Sequence, residues 1–134
     1  AQLEERKLLL AAKQEMLDRA FELALQKLCS LPDEEYTSLL ATLAAKAALT
    51  GREKVIFSQK DRPRVGKAVV TKANELLSQK KADSGMLTLS EETRAIRGGV
   101  ILSDGDVEVN CTFETLVRLQ REEIAGEVAN TLFS

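Results

Sequence analysis

Gly98-Gly99-Val100-Ile101-Leu102-Ser103-Asp104-Gly105-Asp106-Val107-Glu108-Val109-Asn110-Cys111-Thr112-Phe113-Glu114-Thr115-Leu116 holds two branched, alternating runs and the start of a helix. Asp104-Gly105 between the runs favours a two-residue primed turn, in which both central residues take positive φ. On that register Leu102 pairs with Val107 and Val100 with Val109 on one face, and Ile101 lies opposite Glu108 on the other. Gly98-Gly99 relieves crowding where the first strand begins. The Thr112 hydroxyl is placed to cap a final helix, with Phe113, Leu116, Val117, Ile124, Val128 and Leu132 as its buried side.

Upstream of the hairpin, a strand is expected at Met86 to Ser90, after an exit loop at Ala82-Asp83-Ser84-Gly85. Arg62-Pro63 opens the preceding helix, whose stripe Val65, Val69, Ala73 and Leu76 runs through to Lys80. Lys54-Val55-Ile56-Phe57-Ser58 is short, branched and aromatic, so it reads as a strand with Val55 and Phe57 on one face. Leu31-Pro32-Asp33-Glu34-Glu35 starts another helix: Pro suits the first helical position, and acids in the first turn suit the positive end of the dipole. Tyr36, Leu40, Leu43 and Ala47 are its expected buried face. It runs to about Leu49, where Thr50-Gly51 ends it with a left-handed glycine. The resulting order is ααβαβββα. It predicts an α+β fold, a small four-stranded mixed sheet packed by helices.

Leu3 to Leu28 contains no Gly or Pro and is dense in helix formers, which predicts one long helix. Leu3, Leu10, Leu17, Ala24 and Leu31 recur every seven residues, while Leu10 to Phe21 and Leu17 to Leu28 are eleven apart. Seven implies left-handed and eleven right-handed supercoiling, so the handedness stays open. The first half, to about Gln14, is expected to face another chain and the second half the local core. Leu3, Leu10 and Leu17 are the expected approach to a partner helix, with Phe21 and Leu28 anchoring this coiled-coil stub. The division is residues 1–30 as stub and 31–134 as globular domain.

The 134 residues carry 19 bases and 21 acids, a net charge of −2, and are 44% hydrophobic but only 4% aromatic. A chain of this size favours one domain with a real core, and that core must be mostly aliphatic. Nucleic-acid binders are usually strongly basic, so this chain is not read as one. Cys29 and Cys111 stand too far apart for a zinc pairing and are too few for a disulfide scaffold, so reduced, buried thiols are expected. The longest apolar-rich stretch, Leu39 to Leu49, falls short of the ~20 residues that cross a bilayer. No secretory signal pattern opens the chain, which starts inside a helix with Ala1, and a truncated or processed N-terminus is expected.

Catalytic equipment is sparse. The chain has no histidine, the commonest general base. Gly66-Lys67 lacks the upstream glycine of a phosphate-binding loop, Gly98-Gly99 precedes a strand where a dinucleotide fingerprint follows one, and no Gly-x-Ser-x-Gly occurs. Glu91-Glu92, Asp104/Asp106 and Glu122-Glu123 read as solvated surface, and Asp104-Gly105-Asp106 lacks the spacing of a calcium loop. No cofactor, metal or catalytic residue is assigned. Charge is unevenly distributed: residues 52–67 hold Arg52, Lys54, Lys60, Arg62, Arg64 and Lys67 against Glu53 and Asp61, for +4. Residues 82–134 hold ten acids against four bases, for −6. The basic segment is a candidate docking surface for an acidic protein.

The run Gly98 to Leu116 resembles the end of the E subunit of archaeal and vacuolar-type rotary ATPases. In that family a glycine pair leads a strand, a short turn returns it, and an Asn-x-Thr-Phe-like junction opens a last helix, here with Arg118 and Glu122-Glu123. The Leu-Pro-x-Glu-x-Tyr-like opening of the second helix, Leu31 to Tyr36, is similar too, and the resemblance covers the whole chain. Ala1 to about Gln14 resembles the last turns of a long stalk helix. The resemblance implies a non-catalytic peripheral-stalk, or stator, component on the cytoplasmic side of a membrane-bound complex that moves protons or sodium ions. It further implies helical pairing with the G subunit of the stalk, docking of the globular end near the N-terminal region of the B subunit of the head, and only indirect membrane contact. Intertwined helices resist torsion through continuous packing, which suits that role. The regulator of a flagellar or type III export ATPase shares the design of a helical arm and small mixed domain, but the Gly98 to Leu116 run speaks against it.

Overall fold

The structure is a computed structural model that describes residues 2–81 and 85–133, with the side chains of residues 128, 129 and 131–133 outside the described set. Residues 82–84 of the expected exit loop and the burial of Val128 and Leu132 therefore lie outside the described residues. The elements are α1 (Gln2–Cys29), α2 (Asp33–Ala47), β1 (Lys54–Ser58), a π-helical turn (Arg62–Gly66), α3 (Lys67–Lys80), β2 (Thr88–Arg94), β3 (Gly99–Asp104), β4 (Val107–Thr112) and α4 (Phe113–Phe133). This is the expected α+β order. The sheet runs β2-β1-β3-β4, with β1 and β2 parallel and the other pairs antiparallel.

Local boundaries move for identifiable reasons. Pro32 stands just before α2 with φ −54° and ψ 150°, as its cap rather than its first helical residue. The helix ends at Ala47, followed by an extended Ala48, and the left-handed glycine, Gly51 at φ 78°, lies in the loop beyond. A side chain organises that loop instead: the buried Glu53 carboxylate accepts the N–H of Leu49 at 2.6 Å and the Thr50 hydroxyl at 3.1 Å. Burial opposes ionisation of Glu53, but these bonds and the N–H groups of Thr50 and Glu53 itself outweigh it and hold the carboxyl below its ordinary range.

The hairpin turns one residue later than expected. Asp104 pairs with Val107, Leu102 with Val109 and Val100 with Cys111, so Gly105-Asp106 are the central residues. Gly105 has φ 63°, and among the described residues no non-glycine residue has positive φ. A turn with glycine first needs only that residue left-handed, which frees Asp106 from a disfavoured conformation. The register moves by two positions along β4, so every side chain keeps its face. Thr112 caps α4 as expected, its hydroxyl accepting the Thr115 N–H at 3.3 Å. Asn110 Oδ1 in turn accepts from the Thr112 hydroxyl at 2.7 Å and its N–H at 2.9 Å.

β2 extends from Thr88 to Arg94 rather than from Met86 to Ser90. Asn74 of α3 occupies Leu87 from the side, donating to its carbonyl at 2.9 Å and accepting its N–H at 2.8 Å. The strand continues through a polar Ser90–Arg94 stretch that hydropathy does not mark. A bulge opposite β1 separates the Val55↔Leu89 and Phe57↔Thr93 pairs.

One face of the sheet makes the core. Val55, Phe57, Val100 and Leu102 pack with Tyr36, Leu40, Ala41 and Ala44 of α2 and with Val69 and Ala73 of α3, all buried. Each large aliphatic or aromatic side chain so buried contributes roughly 1.5–3 kcal/mol. Tyr36 meets Phe113 edge-on at 5.8 Å between ring centres. The opposite face carries Ile56 and Ile101, only 1% and 6% exposed. α1 packs along α4. Cys29 and Phe113 both adjoin Gly98, while Asp18 is ion-paired with Arg121, so the two helices run antiparallel.

Candidate functional site

The surface of α1 is the first candidate. Leu10, Leu17, Phe21 and Leu28 of the expected seam are half-buried, on a stripe completed by Ala24 and Leu25. With α4 alongside, this stripe is at least partly occupied within the chain. Leu3 is 56% exposed. A second stripe, not singled out from the sequence, lies in solvent: Leu9, Met16 and Leu23, spaced by seven, are 47%, 69% and 57% exposed. Met16, Leu17 and Ala20 with Lys13 line a shallow apolar groove of about 310 Å³ on this helix. The signal for it was present, a parallel heptad one residue before the other, but hydropathy cannot say which of two adjacent stripes the chain itself will cover.

The basic segment does not form one patch. Arg52 and Lys54 line an open hollow of about 750 Å³ on the outer face of the sheet, together with Glu91, Glu92 and Asp104. Lys60 belongs to a different hollow of about 520 Å³, beside Arg94 and Arg97. Lys67 is exposed on α3. Arg62 donates through Nε to the Ser90 carbonyl at 2.7 Å, and so serves the fold.

Arg64 belongs to a polar knot that sequence patterns do not reveal. It pairs with Asp33, donates to Asp61 at 3.1 Å, and lies over the Tyr36 ring at 5.0 Å. The Tyr36 hydroxyl donates to Asp61, itself buried and also held through its own N–H by Ser58 Oγ at 3.1 Å. Burial and then that bond push the Tyr36 phenol upward, so it stays protonated. Gly98 closes the knot, since a Cβ there would come within 2.8 Å of Phe113 and 3.0 Å of the Tyr36 hydroxyl. The knot ties α2 to the end of β1 and to the β2–β3 loop, and satisfies its own charges internally.

Both cysteines are free thiols, Cys111 buried and Cys29 half-buried, and burial raises both. Among the described residues no cluster of three His, Cys, Asp or Glu side chains has metal-binding geometry, and no helix is long and apolar enough to cross a membrane.

A profile of the family described as ATP synthase (E/31 kDa) subunit matches residues 1–133. This chain belongs to that family. The E subunit of the V-type ATP synthase of Acetivibrio thermocellus is 44% identical over 107 residues, covering 80% of this chain and 54% of the relative. Its counterpart in the V-type proton ATPase of Thermoanaerobacter pseudethanolicus is 42% identical over 124 residues, 92% of this chain and 62% of the relative. The E subunit of a Clostridium botulinum V-type proton ATPase is 31% identical over 134 residues, 100% of this chain and 66% of the relative. The E-family chain thus spans between about half and two thirds of the length of these curated relatives. The hairpin, the capped α4 and the Leu31–Tyr36 opening that carried the resemblance all lie within the matched residues.

Proposed function

We propose that this E-family chain is the globular end, with the adjoining stub of stalk helix, of a non-catalytic peripheral stator in a proton- or sodium-translocating rotary ATPase. Residues 31–134 dock near the N-terminal region of the B subunit, and residues 1–30 pair with a helix of the G subunit. The complex holds its nucleotide-binding head still against rotor torque, and the chain contacts the membrane only indirectly, on the cytoplasmic side. The observation that carries the reading is the solvent-facing Leu9, Met16 and Leu23 stripe on a helix already braced from another side by α4. An apolar heptad left in water calls for a second helix.

The same bracing suits a mechanical part. A lone stub would bend at the domain boundary, whereas an antiparallel partner tied by the Arg121–Asp18 ion pair, with the β2–β3 loop adding the Arg97–Glu22 pair at 3.0 Å, continues the domain's packing into the stub. Leu3, Leu10 and Leu17 extend the contact wherever the partner helix wraps toward α4. The test is to mix the chain with the C-terminal helix of the G subunit from the same complex. A one-to-one complex with a raised melting temperature is expected, together with no ATP turnover by the chain. Absence of a complex, or measurable hydrolysis, overturns the proposal.

A further inference from the structure

The two edges of the sheet are finished differently. On the β2 side, Asn74 engages both backbone groups of Leu87, just before the strand, so a side chain already occupies the start of that edge. Such blunting is how sheets avoid unwanted strand pairing. The β4 side has no such cover among the described residues. Asp104 and Val107 close the turn as a hydrogen-bonded pair, so Val107, Val109 and Cys111 bond inward to β3. The backbone N–H and C=O of Glu108 and Asn110 therefore point outward, and no group among the described residues bonds them.

A cleft of about 120 Å³ lies beside this open edge, its apolar walls Leu49, Leu102, Val107 and Val109. Leu49 and Val107 are 75% and 57% exposed. An added strand places alternate side chains on that face, so backbone bonding and an apolar seat coincide. Charge selects the occupant. Residues 104–108 carry Asp104, Asp106 and Glu108 and no base; Glu108 is already paired with Arg94, so Asp104 and Asp106 at the turn are the acids left to a partner. A second copy of this chain would set these acids against themselves, whereas a basic segment complements them.

We propose that the outer edge of β4 accepts an extended segment of a different polypeptide as a fifth strand, seating an apolar side chain in the Leu49/Val109 cleft and bringing Lys or Arg to the Asp104–Asp106 turn. An antiparallel segment has its C-terminal end at that turn. The inference goes beyond the stator reading and does not depend on it.

The experiment uses the 134-residue chain and a short end-blocked peptide of alternating Val and Thr that ends in Lys-Lys, followed by amide hydrogen exchange and NMR titration. Protection is expected at the Glu108 and Asn110 amides and not along β2. Asp106→Lys and Leu49→Ser, both at exposed positions, should each weaken binding about fivefold with the melting temperature unchanged, and added salt should weaken it further. The inference is overturned if saturating peptide leaves those amides unprotected, or if a peptide ending in Glu-Glu binds equally well. It is also overturned if protection appears without peptide and grows with protein concentration, which assigns the edge to a second copy.

Discussion

Arg94 Nη2 donates to Glu108 Oε2 at 2.7 Å although β1 and β3 lie between their two strands. Three strand spacings amount to ~14 Å on a flat sheet, so the sheet curls enough for its outer strands to approach over the face that holds Ile56 and Ile101. Arg94 also pairs with Glu92 at 2.8 Å, which anchors the strap at the bulge of β2. Ile56 and Ile101, 1% and 6% exposed, lie on the face this pair spans.

Glu108 is held below the ordinary carboxylate range, chiefly by the hydrogen bond from Arg94. A depressed folded value means that the strap contributes fully above the unfolded pKa and is lost as pH falls through the folded one. Carboxyl ¹³C titration should show Glu108 titrating below the ordinary carboxylate range, and Arg94→Gln should return it there. An unchanged titration in the variant would mean that the pair does not form in solution.

Glu53 follows the same sign by a different cause, its backbone donors. Glu53→Gln should destabilise the chain at neutral pH by about 1–3 kcal/mol, because the loop amides lose a charged acceptor in a buried place. In urea denaturation the gap between wild type and variant should narrow as pH falls below about 4, where the unfolded carboxyl protonates. A gap independent of pH would exclude the carboxylate as its source.

Two glycines should respond in opposite directions. Gly99 has φ 91°, and a Cβ there would meet the Cys111 carbonyl oxygen at 2.5 Å and the Phe113 nitrogen at 2.8 Å. Gly99→Ala is therefore expected to be severely destabilising, since backbone on both sides must shift. Gly126 sits within α4 with nothing within 4 Å of its would-be Cβ. Gly126→Ala should stabilise by ~0.5–1 kcal/mol. Thermal melts of both variants decide the matter.

The two stripes of α1 separate in the same way. Met16→Asp lies in solvent and should change the stability of the chain by no more than about 0.5 kcal/mol, while sharply weakening binding of the G-subunit helix. Leu10→Asp, half-buried on the stripe beside α4, should lower both the melting temperature and the affinity, because a charge in an apolar seam costs several kcal/mol, to order of magnitude, unless paired. Equal affinity for Met16→Asp and wild type would place the partner elsewhere.

The order of helices and strands, the Thr112 cap, the face of every hairpin residue and the first turns of the apolar stripes of α2 and α3 were legible in the chain of residues, but Ala41, Ala44, Ala45 and Leu77 are buried where Leu43, Ala47 and Leu76 are only half-buried. Each depends on rules that act within a few positions: alternation, helical spacing, a hydroxyl within reach of an N–H. The family was legible for the same reason, because the hairpin and capped-helix run is a local pattern. The one-residue shift of the turn is equally local, but choosing between Asp104-Gly105 and Gly105-Asp106 required knowing that a single left-handed glycine suffices. Which stripe of α1 the chain covers emerged only on folding, since Asp18 and Arg121 are 103 positions apart. Folding also scattered the basic segment, drawing Arg62 to Ser90 and Arg64 to Asp33 and Asp61, and left the edge of β4 open while setting Asn74 against the start of β2. Those outcomes depend on which distant groups arrive at the same place, and no short-range pattern of polarity encodes that.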